Sequence, residues 1–287
     1  MSDINDIRND AYLNETITGN VLSDDFVREH LPTLKRVLAS RALCEGCRGM
    51  EECRQRKAGE RLALSFDQVL IEEIERCPYG SQAHLTDELA DRYVYCDVPK
   101  NLMHLDIKNI VPRPEQQALF TKLYNIYEGK RNKGLYISGN VGTGKSYNCT
   151  ALANSLVKCG KRVAYVKAAS FFSDLKNQYI NTSDGIDRTV NRIRNAEYLF
   201  LDDLGTETVS EFVRDDVLFR ILDYRMENAL TTVFISNLDK NSLFKHYQYD
   251  RRDNTNTMNA TRLMERINIL SDDYALTGKD LREEYNA

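Results

Sequence analysis

The stretch that decides the fold is ISGNVGTGKS, residues 137–146. Gly139 stands four residues before the run Gly144, Lys145 and Ser146, which is the full P-loop pattern. An apolar strand, GLYIS, precedes the loop, and a predicted helix follows it. The glycines let successive backbone N–H groups turn toward phosphate oxygens, and the helix amino terminus adds its positive dipole end. The stretch therefore predicts a nucleotide-phosphate site on an α/β sheet.

Each residue of this loop is expected to contact ATP or its magnesium ion. The loop residues assigned to nucleotide binding are Gly139, Asn140, Val141, Gly142, Thr143, Gly144, Lys145 and Ser146. Lys145 is expected to neutralise the β- and γ-phosphates, and the Ser146 hydroxyl is expected to coordinate Mg²⁺. The competing interpretation is a glycine-rich turn that carries an exposed lysine. The flanking strand and helix favour nucleotide binding over that interpretation.

Two further strand ends carry polar residues. The apolar strand YLFLDD ends in Asp202 and Asp203, and TTVFISN ends in Asn237. Asp202 is expected to hold magnesium, while Asp203 is placed to orient or deprotonate the attacking water. In a parallel sheet the carboxyl ends of the strands line the ligand crevice, so Asn237 could hold that water. Taken alone, Asn237 fits an ordinary strand-capping residue equally well.

The rest of the chain indicates two domains. From residue 114 onward strands alternate with amphipathic helices, which predicts a parallel sheet covered by helices on both faces. Three prolines between residues 93 and 114 mark a junction, so we expect an amino-terminal domain at 1–98 and an ATPase domain at 99–287. The polar amino terminus and the lack of an eighteen-residue apolar run predict a cytoplasmic protein without a membrane span.

The first domain contains a group of cysteines. Cys44, Cys47 and Cys53 lie within ten residues, and Cys77 follows in ERCPYG. A Cys-x₂-Cys turn can aim two sulfurs at one ion, and a cytosolic protein is under little pressure to form disulfides. We therefore expect a structural Zn²⁺ held by these four thiols, with His84 as the rival fourth ligand. Unrelated thiols are the alternative.

The order and spacing of these motifs resemble those of an AAA+ ATPase. The P-loop, the acidic pair and the strand-terminal asparagine are followed by an arginine motif, ATRLMERI, at residues 260–267. Within that class, LFLDDLGTE and TTVFISNL resemble the bacterial replicative helicase loaders of the DnaI/DnaC type. A small cysteine-bearing domain in front of the ATPase is similar to the same family. The resemblance covers nearly the whole chain and is strongest from about Asn101 onward.

The resemblance implies a function that composition cannot show. Such loaders bind the hexameric replicative helicase through the amino-terminal domain and help to place it on single-stranded DNA, with ATP binding and hydrolysis as the switch between assembly and release. Lys145 and Ser146 match the Walker A residues, Asp202 and Asp203 match Walker B, and Asn237 matches sensor 1.

The arginine motif implies self-association through the ATPase domains. AAA+ sites are completed by an arginine from a neighbouring subunit, for which Arg266 is favoured and Arg262 is the second candidate. Both could instead be surface arginines paired with Glu265 or Asp272.

A basic and aromatic segment lies between the second and third predicted strands. Its candidate DNA contacts are Lys176, Tyr179, Arg188, Arg192 and Arg194. Cations that follow phosphates and rings that stack on bases are typical of single-strand binding. An amphipathic helix with solvated charges explains the segment equally well. The net charge of −4 means that any DNA contact needs such a local basic patch.

Two other functions fit parts of the sequence. The ATPase partner of a DNA transposase has a similar core but generally lacks a cysteine-bearing front domain. A nucleotide-sensing adaptor would bind ATP and hydrolyse little of it, although the complete set of Lys145, Asp202, Asp203 and Arg266 argues against an inactive site. We therefore favour the helicase loader.

Overall fold

The computed structural model describes residues 2–179, 183–249 and 255–281. The chain divides into two compact units, Met1–Asp87 and Glu88–Ala287. Within the described ranges, no helix combines the length and the apolar character that crossing a membrane requires.

The amino-terminal unit combines short helices with a β-hairpin. Its elements are α1 (Ser2–Asn9), α2 (Ala11–Gly19), α3 (Asp24–Glu29), α4 (Leu31–Ala42), β1 (Glu60–Asp67) and β2 (Val69–Arg76). The two strands pair antiparallel on either side of Gln68, which has a φ of 59°. Ile7, Leu13, Ile17, Val27, Leu34 and Val37 form the buried core of this unit.

The division between the units falls inside helix α5 (Pro78–Asp91). After this helix, Tyr93 and Val98 are buried in a core of the larger unit. The short strand β3 (Tyr95–Cys96) pairs in parallel with β5 (Val163–Lys167). The structure therefore places the boundary earlier than the one expected after residue 98. A two-residue edge strand leaves no periodic pattern, so the sequence did not indicate that this segment belongs to the sheet.

The larger unit is a sheet covered by helices. Its other strands are β4 (Gly134–Ser138), β6 (Tyr198–Leu204), β7 (Thr231–Ser236) and β8 (Ser271–Ala275). Its other helices are α6 (Gln117–Tyr127), α7 (Lys145–Lys158), α8 (Ala168–Tyr179), α9 (Ser183–Arg194), α10 (Arg220–Glu227), α11 (Lys240–Gln248) and α12 (Thr257–Leu270). Among the described residues the strands form a six-stranded sheet in the order β3-β5-β6-β7-β4-β8, with parallel neighbours. This confirms the predicted α/β class.

Both faces of this sheet are buried. In β4, Leu135 and Ile137 belong to the core that includes α6 and α7, whereas Tyr136 belongs to the core that includes α8 to α12. All six residues of β7 are buried. Burial on two sides explains why these strands appear in the sequence as continuous apolar runs. The strand order brings the carboxyl ends of β4, β6 and β7 to one edge of the sheet.

A buried arginine holds the opposite edge. Arg225 on α10 is fully buried and donates to the carbonyl oxygens of Ala196 and Thr231, both at 2.7 Å. It also donates to the Thr232 hydroxyl at 2.8 Å. These partners lie at the amino ends of β6 and β7, so one side chain ties the two strand starts together.

We predict that Arg225→Met lowers the free energy of unfolding of the larger unit by about 3 kcal/mol or more, because it leaves buried carbonyl oxygens without donors. Chemical denaturation measures this change. Arg220→Met on the same helix is the control, since Arg220 makes a half-exposed ion pair with Asp187 at 3.5 Å. The control should change stability by less than about 1 kcal/mol. Equal losses in the two variants would contradict the assignment.

Candidate functional site

The P-loop has backbone geometry that favours glycine. Gly139 and Gly144 have φ values of 146° and 91°. A Cβ on Gly139 would lie 2.1 Å from the Leu276 carbonyl oxygen, and one on Gly144 would lie 2.4 Å from Gln116 Nε2. Gly144 directly precedes the first residue of α7, so the amino terminus of this helix opens onto the loop. The loop can therefore present backbone N–H groups and a helix dipole to an anion.

Lys145 connects the loop with the end of a neighbouring strand. Its ammonium donates to the carbonyl oxygens of Gly139 and Asn140, both at 2.7 Å, and to Oδ1 of Asn237 at 2.9 Å. Burial lowers the pKa of Lys145, and the nearby carboxylates of Asp203 and Asp202 oppose that shift. The structure thus brings together two residues that are 92 positions apart in the chain.

Ser146 and Asp202 are also in direct contact. The Ser146 hydroxyl donates to Oδ1 of Asp202 at 2.8 Å. Asp202 is 2% exposed, and burial raises the pKa of its carboxyl group. A hydroxyl and a carboxylate are hard oxygen donors of the kind that Mg²⁺ prefers. These two residues therefore fit the predicted magnesium site.

Asp203 occupies a different environment from its neighbour. The pairing of β6 with β7 shifts register between Leu201 and Leu204, and Asp203 within this irregularity has a φ of 56°. The Thr206 hydroxyl donates to the Asp203 carbonyl oxygen at 2.7 Å and so fixes the turn. Asp203 is half-buried, whereas Asp202 is buried. The acidic pair thus ends the strand with one carboxylate inside and one at the turn.

Three buried side chains that support the site were missed by sequence reasoning. Tyr165 donates its hydroxyl to Oδ2 of Asp202 at 2.7 Å. Gln116 Nε2 donates to the carbonyl oxygen of Thr143 in the P-loop at 2.9 Å. Glu207 accepts from the Gly205 N–H at 2.8 Å, just after the acidic pair. Only Glu207 lies within a motif that had been singled out, LFLDDLGTE.

The two arginines of α12 differ in their contacts. Arg266 is 20% exposed, and its Nε donates to Oδ1 of Asp223 at 3.0 Å. It also pairs with Glu265 at 3.2 Å, as the alternative interpretation expected. Arg262 is exposed, and its guanidinium lies 4.7 Å from the centre of the Phe219 ring. Arg266 is therefore held by a carboxylate of its own chain, whereas Arg262 reaches the surface.

The candidate DNA contacts fall into two groups. Lys176 on α8 and both Arg188 and Arg192 on α9 are exposed. Arg192 donates to a backbone carbonyl oxygen at 2.8 Å, and the guanidinium of Arg194 lies 4.6 Å from the centre of a tyrosine ring. The side chain of Tyr179 lies outside the described residues. Lys176 and Arg188 are therefore better candidates for DNA contacts than Arg192 and Arg194, which contact a backbone carbonyl oxygen and a tyrosine ring.

The structure does not support the predicted zinc site. Within the part of the chain that is described, no group of three or more His, Cys, Asp or Glu side chains is placed to hold a metal ion. Each expected thiol has a nearby hydrogen-bonding partner: Gln55 Nε2 for Cys44, the Gly49 carbonyl for Cys47, the Gly59 N–H for Cys53 and the Gly80 N–H for Cys77. His84 does not complete such a group either. Spacing fixes the order of the thiols along the chain but not where their sulfurs point.

These features together define a P-loop nucleotide-binding protein. They are a P-loop at the start of a helix, an acid and an asparagine at the ends of adjacent strands, and a parallel sheet. Residues 113–282 match the model of the family described as IstB-like ATP binding protein, and the chain belongs to this family. The expected binding of ATP is consistent with that description.

Similarity to individual proteins extends further along the chain. The chain is 27% identical over 281 residues to the replicative helicase loader DnaI of Bacillus subtilis (strain 168). This alignment covers 95% of the chain and 88% of the relative. The chain is 27% identical over 108 residues to the replicative helicase loader DnaC of Escherichia coli (strain K12), which covers 38% of this chain and 44% of that protein.

Solved structures agree with these relatives. A crystal structure of DnaI has a TM-score of 0.55 at 26% identity and covers 68% of this chain and 100% of that one. A putative primosome component from Streptococcus pyogenes serotype M3 has a TM-score of 0.53 at 29% identity, and the match covers 66% of this chain and 95% of that one. A crystal structure of the DnaC helicase loader has a TM-score of 0.52 at 18% identity, and the match covers 62% of this chain and 100% of that one. This likeness shows a shared fold. The predicted resemblance to DnaI/DnaC-type loaders is confirmed.

Proposed function

We propose that this chain is an ATP-dependent loader that places the replicative DNA helicase on single-stranded DNA when replication starts and the primosome assembles. The observation that carries the proposal is the extent of the similarity to the helicase loader DnaI. It covers 95% of the chain and so includes the amino-terminal unit. The family match covers residues 113–282, the part that an ATPase partner of a transposase would share. The loader is therefore favoured over the transposase partner.

The proposed switch is the binding and hydrolysis of ATP. Lys145 would bind the phosphates, and Ser146 and Asp202 would hold Mg²⁺, which offsets the negative charge of the phosphates when it is bound. Asp203 is proposed to orient or deprotonate the attacking water, and Asn237 to position it. The 2.9 Å contact between Lys145 and Asn237 supports this role, because it brings sensor and phosphate-binding residue together. A nucleotide-sensing adaptor would use the same binding residues without the hydrolytic step.

Each unit has a proposed partner. The amino-terminal unit is proposed to dock on the helicase hexamer, and the larger unit is proposed to associate with copies of itself.

In such an assembly one arginine of α12 would complete the neighbouring nucleotide site. The sequence favoured Arg266, but its ion pair with Asp223 would have to break first. The contacts favour Arg262 for this role, since the residue is exposed and its guanidinium lies against the Phe219 ring. A role at the replicating chromosome also agrees with the cytoplasmic location expected from the sequence.

The loader proposal is tested with the full chain, the purified replicative helicase of the same organism and a single-stranded oligonucleotide. We expect a complex of all three that depends on ATP and Mg²⁺, measured by size-exclusion chromatography with light scattering. Lys145→Met should still bind the helicase but weaken ATP binding by about tenfold or more, because a hydrogen-bonded cation is lost from the phosphate site. Lys133→Met is the matched control, since Lys133 pairs with Asp272 at 2.8 Å.

Absence of helicase binding in every nucleotide state would contradict the loader proposal. Nucleotide-dependent helicase binding without measurable release of phosphate would instead favour the adaptor.

The role of the two arginines is tested by separate substitutions. Arg262→Ala should keep ATP affinity within about twofold but slow hydrolysis by about a hundredfold or more and weaken self-association, because an arginine supplied in trans stabilises charge that develops on the γ-phosphate. Arg266→Ala should mainly lower stability, since it breaks the ion pair with Asp223. Phosphate release and sedimentation velocity measure these effects. The role would belong to Arg266 if Arg266→Ala slowed hydrolysis and weakened self-association, Arg262→Ala did not, and Asp223→Asn kept its activity.

Single-strand binding is proposed for Lys176 on α8 and Arg188 on α9. The double variant Lys176→Ala/Arg188→Ala should weaken binding and reduce the slope of log affinity against log salt by about 1.4, because two phosphate contacts are lost. Fluorescence anisotropy of a labelled oligonucleotide over a salt series gives this slope. Arg192→Ala is the control, since Arg192 donates to a backbone carbonyl. An unchanged slope in the double variant would contradict this DNA site.

A further inference from the structure

Both carboxylate oxygens of Asp202 are held by hydrogen bonds. Oδ1 accepts from the Ser146 hydroxyl at 2.8 Å and from the Asp203 N–H at 3.0 Å. Oδ2 accepts from the phenol of Tyr165 at 2.7 Å. The first two donors belong to the P-loop helix and to the strand of Asp202 itself. The third comes from β5, which carries none of the nucleotide-binding motifs found in the sequence.

Packing fixes the position of the Tyr165 ring. Tyr165 is fully buried, and its ring stacks on Phe200 with centroids 5.7 Å apart. In the parallel pairing of β5 with β6, Tyr165 lies opposite Phe200, and Lys167 lies opposite Asp202. Asp202 is thus the diagonal neighbour of Tyr165 on the same face of the sheet, a position that a long aromatic side chain can reach.

A second hydrogen bond sets the direction of the phenol proton. Thr150 on α7 donates its hydroxyl to the Tyr165 oxygen at 3.2 Å. Burial raises the pKa of Tyr165, so the phenol keeps its proton and donates it to the carboxylate. Thr150, Tyr165, Asp202 and Ser146 therefore form a chain of hydrogen bonds that begins and ends on the P-loop helix and is buried except at Ser146.

We propose that Tyr165 is a positioning residue of the nucleotide site, whose hydroxyl holds Oδ2 of Asp202 so that Oδ1 stays turned toward Ser146 and the place of the magnesium ion. A carboxylate fixed at one oxygen presents the other in a single orientation and does not have to be ordered when the metal binds. The inference rests on the proposed binding and hydrolysis of ATP at this site, and it adds a residue that neither Walker motif contains.

The charges around Asp202 determine how a loss of the hydroxyl acts. From α7 it faces Lys145, whose cation favours the ionised carboxylate, and Cys149, whose thiol is fully buried. From its own strand it faces Asp203, whose negative charge raises the pKa of Asp202. The Tyr165 hydroxyl lowers that pKa by donating to the charged form. Removing it leaves Oδ2 of Asp202 without its donor from β5, so the carboxylate is no longer held in one orientation toward Ser146.

Tyr165→Phe tests the inference because it keeps the ring and removes only the hydroxyl. We expect the Mg²⁺ concentration for half-maximal ATP hydrolysis to rise about tenfold at neutral pH, since a hydrogen bond to a charged group is lost. Affinity for ATP in the presence of a chelator should stay unchanged, because the phosphate contacts of the P-loop remain.

Tyr93→Phe is the matched control. Tyr93 is also buried, and its hydroxyl donates to Oδ1 of Asn154 at 2.7 Å. Its loss removes a buried tyrosine hydrogen bond without touching Asp202, so the Mg²⁺ requirement should match the wild type. Thr150→Val keeps the tyrosine and removes the hydroxyl that donates to it, and it should raise the Mg²⁺ requirement by a smaller amount than Tyr165→Phe does. This variant keeps the test available if Tyr165→Phe does not fold.

An unchanged Mg²⁺ dependence in Tyr165→Phe would overturn the inference, as would an equal shift in Tyr93→Phe. A wild-type chain that does not hydrolyse ATP would instead overturn the hydrolytic part of the proposed function. In that case the Mg²⁺ dependence of ATP affinity, measured by calorimetry on the same variants, still decides the role of Tyr165.

Discussion

Burial of the parallel sheet on both faces is the constraint on which the rest of the larger unit depends. Side chains along β4 and β7 pack against helices on one side or the other, so polar groups concentrate where the strands end. At the carboxyl edge the two buried charged groups have polar partners: Lys145 donates to the exposed Asn237, and Asp202 accepts from the half-buried Ser146. A buried charge is costly without such partners. At the nucleotide site, the buried polar groups therefore have hydrogen-bonding partners.

The same constraint acts at the opposite edge with a different outcome. There, Arg225 donates to strand carbonyls and a threonine hydroxyl, and its contacts stabilise the strand starts. Arg266 shows a third use of a cation: its side chain is 20% exposed, forms an ion pair with Asp223 and lies beside the Phe219 ring. An arginine held in this way has to break a contact within its own chain before it can reach a neighbour. For the exposed Arg262, the contact to give up is the one with the Phe219 ring.

The amino-terminal unit follows other rules. It is built from short helices and a hairpin around a small apolar core that includes Ile7, Leu13 and Val27. Its thiols form separate local contacts, with Cys44 against Gln55 and Cys53 against the N–H of Gly59. The cysteine spacing predicted a metal site, but spacing limits only how far apart the thiols lie in the chain. Their side chains converge only if the turns between them allow it.

The sequence by itself determined the P-loop, because its geometry depends on glycines, a lysine and a serine that are close neighbours in the chain. It also predicted Asp202 and Asn237, because an apolar run followed by a polar residue marks a strand end. Only the tertiary structure decided the roles of Tyr165 and Gln116, which contact the site from distant segments and belong to no motif. It likewise decided the early domain boundary and the ion pair of Arg266. These features arise from contacts between residues far apart in the chain, and the spacing of a single sequence does not encode such contacts.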